Sequence, residues 1–198
     1  RASTVRFQGD KVIRRRPGIP QFKRYEDAKN LLQEDFSGIC GYCGKDSRKM
    51  YQRFQIDHFV PKSLAPDRET DYYNLVLACA KCNQIKSNQW PTQDVRLPHD
   101  GEKGFVDPAT EEFDQHLERD ESGYIVGLTP LGENICRRMH FDIRRTDLFW
   151  KIGQLCAQCE RLEELFDRGV LREAGKDYYI KISKVIREYI EASVAEGE

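Results

Sequence analysis

The chain has 198 residues, of which 39% are hydrophobic and 33% charged, and its formal net charge is −1. Its longest apolar run, Leu75 to Ala80, falls far short of the roughly 18 residues that a membrane-spanning helix requires. The N-terminus is basic, lacks the apolar segment of a secretory signal and begins with Arg1 instead of Met, so we expect missing upstream residues. We therefore predict a cytoplasmic protein with no membrane partner.

The first 25 residues are predicted to form a basic arm. They carry eight basic side chains and one acid, whereas residues 94–121 carry ten acids and three bases. Segregated charge is a common footprint of a polyanionic partner, and Arg14, Arg15 and Arg16 form the densest basic run. A solvated arm without a partner is the alternative. Beyond the arm, the apolar spacing from Tyr25 to Phe36 predicts a helix.

Four of the seven cysteines form two C-x-x-C pairs, Cys40 with Cys43 and Cys79 with Cys82. An odd cysteine count without a secretory signal favours metal ligation over disulfides. Four thiolates complete the tetrahedral shell of Zn²⁺, so this zinc would be structural. Two unrelated pairs of buried cysteines are the alternative interpretation.

Two strands and a short helix are predicted around these pairs. Alternation from Phe54 to His58 is typical of a half-buried strand, and a second strand is predicted from Tyr73 to Ala78. A helix follows over residues 79–88 and is limited by Pro91. Together with the first helix, this zinc-framed core spans residues 26–91.

Residues 92–129 are predicted to form connecting loops and short strands, including a strand over 123–128, and residues 130–198 a helical region. Thr129 and Pro130 mark the start of a helix over about 130–140. Two helices with apolar seams follow, over about 145–168 and 176–194, and Cys156 and Cys159 are predicted to be small core residues along the first seam. The seams could be buried against each other, against the core or against a second copy of the chain.

The motifs of the core resemble those of a known family. The sequence reads C-G-Y-C at residues 40–43, I-D-H-F-V-P-K-S at 56–63, Y-N-L at 73–75 and C-A-K-C-N-Q-I-K at 79–86. In this order they resemble the motif of the HNH endonucleases, and the likeness spans residues 36–91. It implies an α+β fold with a ββα-metal core framed by a four-cysteine zinc site, and the cleavage of nucleic acids with a divalent ion.

The resemblance also implies roles for individual residues. His58 would be the general base, since imidazole titrates near neutral pH. Asp57 and Asn83 would hold a catalytic Mg²⁺ or Mn²⁺, and Asn74 would brace the loop and orient His58. Strand alternation by itself puts Asp57 and His58 on opposite faces. Each asparagine has a structural alternative, a helix cap for Asn83 and a turn for Asn74.

Several basic residues are candidate nucleic-acid contacts. They are Lys62, Lys81 and Lys86 in the core, together with the three arginines of the arm. A solvated helix surface is the alternative for Lys86. His99 is expected to be an ordinary loop histidine.

We therefore predict a metal-dependent endonuclease that hydrolyses phosphodiester bonds of DNA, with RNA as the alternative substrate. Two other interpretations stay open. One is a non-cleaving zinc module that binds nucleic acid, although binding alone does not require Asp57, His58 and Asn83 together. The other is the nuclease effector of an anti-phage defence system controlled by a partner protein, because similar HNH proteins occur beside anti-phage ATPases and retrons. The C-terminal helices would then dock the partner or form a homodimer.

Overall fold

The computed structural model describes residues 3–4, 13–50 and 52–197. The helices are α1 (Lys29–Asp35), α2 (Ala80–Lys86), α3 (Phe113–His116), α4 (Pro130–Arg138), α5 (Thr146–Asp167) and α6 (Glu173–Ala195). The strands are β1 (Ser3–Thr4), β2 (Gln55–His58), β3 (Leu75–Ala78), β4 (Leu117–Arg119) and β5 (Ile125–Gly127). None of the helices within the described ranges is long and apolar enough to span a membrane.

The hairpin of β2 and β3 carries the candidate site. The strands are antiparallel, with Gln55 opposite Ala78 and His58 opposite Leu75, and α2 follows β3 directly. This confirms the predicted order of strand, loop, strand and helix. The second strand begins later than predicted, because the chain first makes a 3-10 turn over Tyr72–Asn74. The carboxylate of Asp71 caps that turn by accepting a hydrogen bond from the backbone N–H of Tyr73.

A second sheet has the strand order β1, β4, β5, and all its pairs are antiparallel. The predicted strand over 123–128 is β5, whereas α3 and β4 were not predicted. Helix α4 packs closely on this sheet, since a Cβ atom at Gly132 would lie 1.9 Å from the carbonyl oxygen of His116. As predicted, Thr129 caps α4 by accepting a hydrogen bond from the N–H of Gly132, with Pro130 in the first position.

Helices α5 and α6 form a hairpin that turns at Gly169, which adopts a left-handed φ of 68°. The first half of α5 is buried against the rest of the chain, and Lys49 donates a hydrogen bond to the carbonyl of Gly153. Only Ile182 and Ser193 are buried on α6. The two seams therefore pack against each other but are only partly covered, and α5 is buried against the core only in its first half.

Arg119 joins the second sheet to its neighbours. Its guanidinium donates hydrogen bonds to the carbonyls of Gly123, Thr146 and Cys43, and it is almost completely buried. It also lies 4.4 Å from the ring centroid of Trp150. This one side chain therefore links the first cysteine pair to the start of α5.

Candidate active site

The four cysteines of the two C-x-x-C pairs come together in the interior. Cys40, Cys43, Cys79 and Cys82 are fully buried, and their sulfur atoms lie within 4.8 Å of one another. The Cys43 and Cys79 sulfurs are 3.8 Å apart. Zn–S bonds of about 2.3 Å in a tetrahedron place two sulfurs about 3.8 Å apart, so the spacing fits a zinc ion.

The surroundings of the cysteines also suit a metal–thiolate centre. Burial raises the pKa of the Cys40 thiol, so a buried thiolate there needs a neighbouring cation to stabilise it. The Nη1 of Arg144 lies 3.4 Å from the Cys82 sulfur, and the N–H of Cys82 points to the Cys79 sulfur. Such hydrogen bonds offset the negative charge of a tetrathiolate site. The cluster could therefore hold Zn²⁺.

Local sequence explains the shape of the first pair. A Cβ atom at Gly41 would lie 2.9 Å from side-chain atoms of both Phe36 and Val76, so only glycine fits between the cysteines. Gly44 has a left-handed φ of 71°, and its N–H donates to the carbonyl of Cys40. The pair is tied to β3 by a hydrogen bond from the N–H of Gly41 to Leu77.

Asp57 lies on β2 with its carboxylate directed inward. Its Oδ2 accepts a hydrogen bond of 2.5 Å from the hydroxyl of Tyr42 and lies 3.2 Å from the Nζ of Lys86. Burial raises the pKa of Asp57, while the Lys86 charge and the Tyr42 hydroxyl oppose that rise. Its other oxygen, Oδ1, makes no hydrogen bond within the described parts of the chain.

His58 is held by the loop that follows it. Its Nε2 lies 2.9 Å from the carbonyl oxygen of Glu69, and its ring packs edge-on against Tyr25 at a centroid distance of 5.0 Å. A carbonyl oxygen can only accept, so Nε2 carries the proton and donates it. In the neutral imidazole, Nδ1 then holds the lone pair. The tautomer is the one that a base acting through Nδ1 requires.

Asn74 is fully buried and clamps the same loop. Its Oδ1 accepts from the N–H of Val60 at 2.9 Å, and its Nδ2 donates to the carbonyls of Val60 and Arg68. Arg68 directly precedes Glu69, whose carbonyl binds His58. The clamp therefore fixes both ends of the segment that holds the histidine, which is the contact pattern that a bracing residue needs.

Asn83 lies on α2 and lines the same groove as His58. Its Nδ2 donates a hydrogen bond of 2.7 Å to Oε1 of Gln55, which leaves its carbonyl oxygen available as a ligand. Asp57, His58 and Asn83 line one open groove of about 310 Å³. Asp57 and His58 are neighbours on a regular strand, so their side chains lie on opposite faces, as alternation predicts. The groove nevertheless reaches both residues. Its carboxylate and amide oxygens are suitable ligands for Mg²⁺ or Mn²⁺.

Comparison with known proteins agrees with this geometry. Residues 40–89 match the family model of the HNH endonucleases. This segment, called the HNH domain below, is therefore similar to the domains of the HNH endonucleases. The match confirms the resemblance predicted from the motifs, and it includes both cysteine pairs and the Asp57, His58 and Asn83 set.

One relative extends the likeness beyond the HNH domain. The chain is 29% identical over 127 residues to the Septu protein PtuB of Bacillus mycoides (strain KBAB4). The match covers 52% of this chain and 43% of PtuB, so the chain spans less than half the length of that relative. No solved structure matches the chain.

The lysines of the HNH domain have different surroundings. Lys62 is 55% exposed at the edge of the groove and pairs loosely with Glu69, and Lys81 is half-buried. Lys86 is fully buried, where its Nζ donates to the carbonyl of His58 at 3.0 Å and lies beside Asp57. The predicted phosphate contact of Lys86 is therefore corrected, because an enclosed ammonium cannot reach a phosphate.

The arginine run of the predicted arm is also largely structural. Arg15 is mostly buried, with an ion pair of 2.5 Å to Asp107 and a hydrogen bond to a β3 carbonyl. Arg16 pairs with Asp35 and Glu34. The predicted nucleic-acid role of Arg15 is wrong, because its side chain is enclosed by Asp107 and β3. That of Arg16, whose side chain is 39% exposed, stays a prediction. Arg14 is exposed. Residues 1, 2 and 5–12 of the arm lie outside the described residues.

Two residues of the site were not predicted from the sequence. The position of Tyr42 between two cysteines could have indicated a role in the site, but an aromatic residue there is equally typical of a residue that only packs in the core. Nothing in the sequence indicates Glu69, because it contributes only its backbone carbonyl. His99, expected to be a loop histidine, pairs with Glu112 at 3.0 Å and lies outside the groove.

Proposed function

We propose that this protein is a metal-dependent endonuclease that hydrolyses phosphodiester bonds of DNA at the groove of Asp57, His58 and Asn83. The hydrogen bond from Nε2 of His58 to the Glu69 carbonyl carries the proposal, because it leaves the lone pair on Nδ1 in a groove that Asp57 and Asn83 also line. The HNH match and the relative PtuB support it. We assign the catalytic unit to residues 26–91.

In the proposed reaction, Nδ1 of His58 takes a proton from water as its oxygen attacks the phosphorus. The bond to the 3′ oxygen then breaks, and that oxygen leaves with the bonding electron pair and takes a proton from solvent. The products are a 5′-phosphate on one strand end and a 3′-hydroxyl on the other. A divalent ion held by Asp57 and Asn83 would supply positive charge to the phosphate and the leaving oxygen. Asn74 keeps the Glu69 carbonyl in place, so that the imidazole stays oriented.

We further propose that the four clustered cysteines bind one structural zinc. Their four sulfurs fill its shell, so this ion would have no open position for substrate. Its role would be to join the turn at Cys40 and Cys43 to the start of α2, where Asn83 lies. The catalytic ion is thereby separate from the zinc.

Cleavage of supercoiled plasmid in the presence of Mg²⁺ or Mn²⁺ tests the proposed function. The wild-type protein should nick or linearise the plasmid, and a chelator of the free ion should stop it. Asp57→Ala and Asn83→Ala should require more metal, and high Mn²⁺ should partly rescue Asn83→Ala. Structured RNA in a parallel reaction tests the substrate preference. No cleavage of either nucleic acid under any metal condition would favour the non-cleaving zinc module.

A partner-controlled defence effector is the second candidate, and one observation favours it. The distal end of the α5–α6 hairpin exposes large apolar side chains, with Phe166 61%, Val170 57% and Ile180 54% exposed. Apolar clusters of this kind mark interaction sites. Together with the likeness to PtuB, this surface supports docking of a partner protein, with a second copy of the chain as the alternative. Phe166→Ser should leave cleavage intact and weaken that association in a pull-down with an anti-phage ATPase of the kind found beside similar HNH proteins.

A further inference from the structure

Tyr42 and Lys86 both contact the same oxygen of Asp57. We propose that they are positioning residues that hold this carboxylate so that its other oxygen faces the divalent ion. The inference rests on the proposed function of Asp57 as a metal ligand. It gives a role in metal binding to two further residues, one from each half of the zinc frame.

The two carboxylate oxygens of Asp57 have different surroundings. The Tyr42 hydroxyl donates to Oδ2 at 2.5 Å, and the Lys86 ammonium lies 3.2 Å from the same atom. Oδ1 makes no hydrogen bond among the described residues, and the groove reaches Asp57. Two partners on one oxygen fix the rotation of the carboxylate about its Cβ–Cγ bond. The second oxygen is then presented in one direction.

Burial makes these contacts effective. Tyr42 and Lys86 are 1% and 0% exposed, so water does not compete for Oδ2. In such surroundings hydrogen bonds to a charged group are stronger than at the surface. The Lys86 Nζ is fixed in turn by its hydrogen bond to the His58 carbonyl and lies 5.7 Å from the centroid of the Phe105 ring. The ammonium therefore orients Asp57 and secures the backbone of the proposed base.

The cysteine cluster determines where both positioning residues lie. Tyr42 stands between Cys40 and Cys43, and Lys86 lies one helical turn beyond Cys82 on α2. Bringing the four sulfurs together therefore brings the hydroxyl and the ammonium to the same carboxylate. The structural zinc would act on catalysis through this contact, by defining the position of a ligand to the second ion.

Mn²⁺ binding to the zinc-loaded protein tests the inference, measured by calorimetry or by the spin-resonance signal of free Mn²⁺. Tyr42→Phe removes only the hydroxyl. It should weaken Mn²⁺ binding by about 10-fold, the usual scale for residues that support a metal ligand. The Mn²⁺ concentration for half-maximal cleavage should rise in parallel, and excess Mn²⁺ should recover most of the rate. The zinc content should stay at the wild-type level.

Tyr72→Phe is the matched control. Tyr72 is also fully buried, and its hydroxyl also donates to a carboxylate, that of Asp35, which lies outside the groove. This variant should lose comparable stability and keep wild-type Mn²⁺ affinity. Lys86→Met should weaken Mn²⁺ binding in the same direction as Tyr42→Phe, and Tyr42→Phe decides the matter if Lys86→Met does not fold.

Asp57→Ala separates failure of the inference from failure of the proposed function. If Asp57→Ala binds Mn²⁺ as tightly as wild type, Asp57 is not a ligand and the proposed function itself is wrong. If Asp57→Ala loses Mn²⁺ while Tyr42→Phe matches Tyr72→Phe in affinity, the carboxylate needs no positioning and only the inference is overturned.

Discussion

A hydrogen bond of 2.9 Å joins the ring of His58 to the backbone carbonyl of Glu69. Because that carbonyl can only accept, the bond leaves Nδ1 as the basic atom of the neutral imidazole. The two residues lie on opposite sides of a loop whose ends are both held by Asn74. The proposed base thus depends on a backbone atom and on a side chain that does not touch it.

Replacing Asn74 with alanine should impair both stability and cleavage. The substitution removes three hydrogen bonds and leaves the buried N–H and carbonyl of Val60 unpaired, so we expect a loss of about 2–3 kcal/mol in the free energy of unfolding. Cleavage should fall further than the folded fraction does, because the Glu69 carbonyl is no longer fixed. Denaturant titration and a cleavage assay on the same sample check this. Cleavage that falls only in step with the folded fraction would restrict Asn74 to a structural role.

Zinc analysis should find one tightly held zinc per chain. Cys40→Ser or Cys82→Ser should release it and severely lower the melting temperature, since the binding energy of a structural zinc is folding energy. The control is Cys156→Ala combined with Cys159→Ala, because both residues lie on α5 outside the cysteine cluster. A count of two zinc ions that falls to one in this double variant would contradict the assignment.

The exposed cations should supply sequence-independent affinity for DNA. Lys62→Ala and Arg14→Ala should each weaken binding and reduce the slope of log affinity against log salt by about one, since each removes one phosphate contact. Arg168→Ala removes the same charge at the exposed tip of the hairpin and should change neither quantity. Binding isotherms measured at several salt concentrations test this prediction. An unchanged slope in the first two variants would show that these residues do not face DNA.

Arg15 should behave as a structural residue. Arg15→Met leaves the Asp107 carboxylate without its ion-pair partner, so we expect a loss of about 3 kcal/mol in the free energy of unfolding. Arg14→Ala, at an exposed position in the same basic run, should change stability by less than about 0.5 kcal/mol. Equal stability of the two variants in urea would show that the ion pair does not stabilise the fold.

The features that could be predicted were those that depend on the spacing of residues close together in the sequence. Two cysteine pairs, a strand ending at His58 and a helix after Cys79 each leave a pattern within a dozen residues. The burial of Arg15 and Lys86 does not, because it depends on Asp107 and Asp57, which reach them only in the folded chain. From the sequence alone, a basic residue and its distant carboxylate partner are each predicted to be exposed to solvent.

The pairing of strands that lie far apart in the sequence could not be predicted either. Ser3 pairs with Arg119 across β1 and β4, and neither segment has enough alternating residues to predict a strand. The two C-terminal helices were predictable from their apolar seams, whereas the packing of one helix against the other depends on the turn at Gly169 and on the base of α5.

Chemical rescue of a His58 variant tests whether this imidazole is the general base. His58→Gly should retain its zinc and cleave plasmid at least about 100-fold more slowly than wild type, the usual contribution of a general base. Added imidazole should restore part of the rate in the presence of Mg²⁺ and should not accelerate the wild-type protein. Cleavage by His58→Gly at the wild-type rate at neutral pH would contradict the account, because the imidazole held by Glu69 would then have no part in the chemistry.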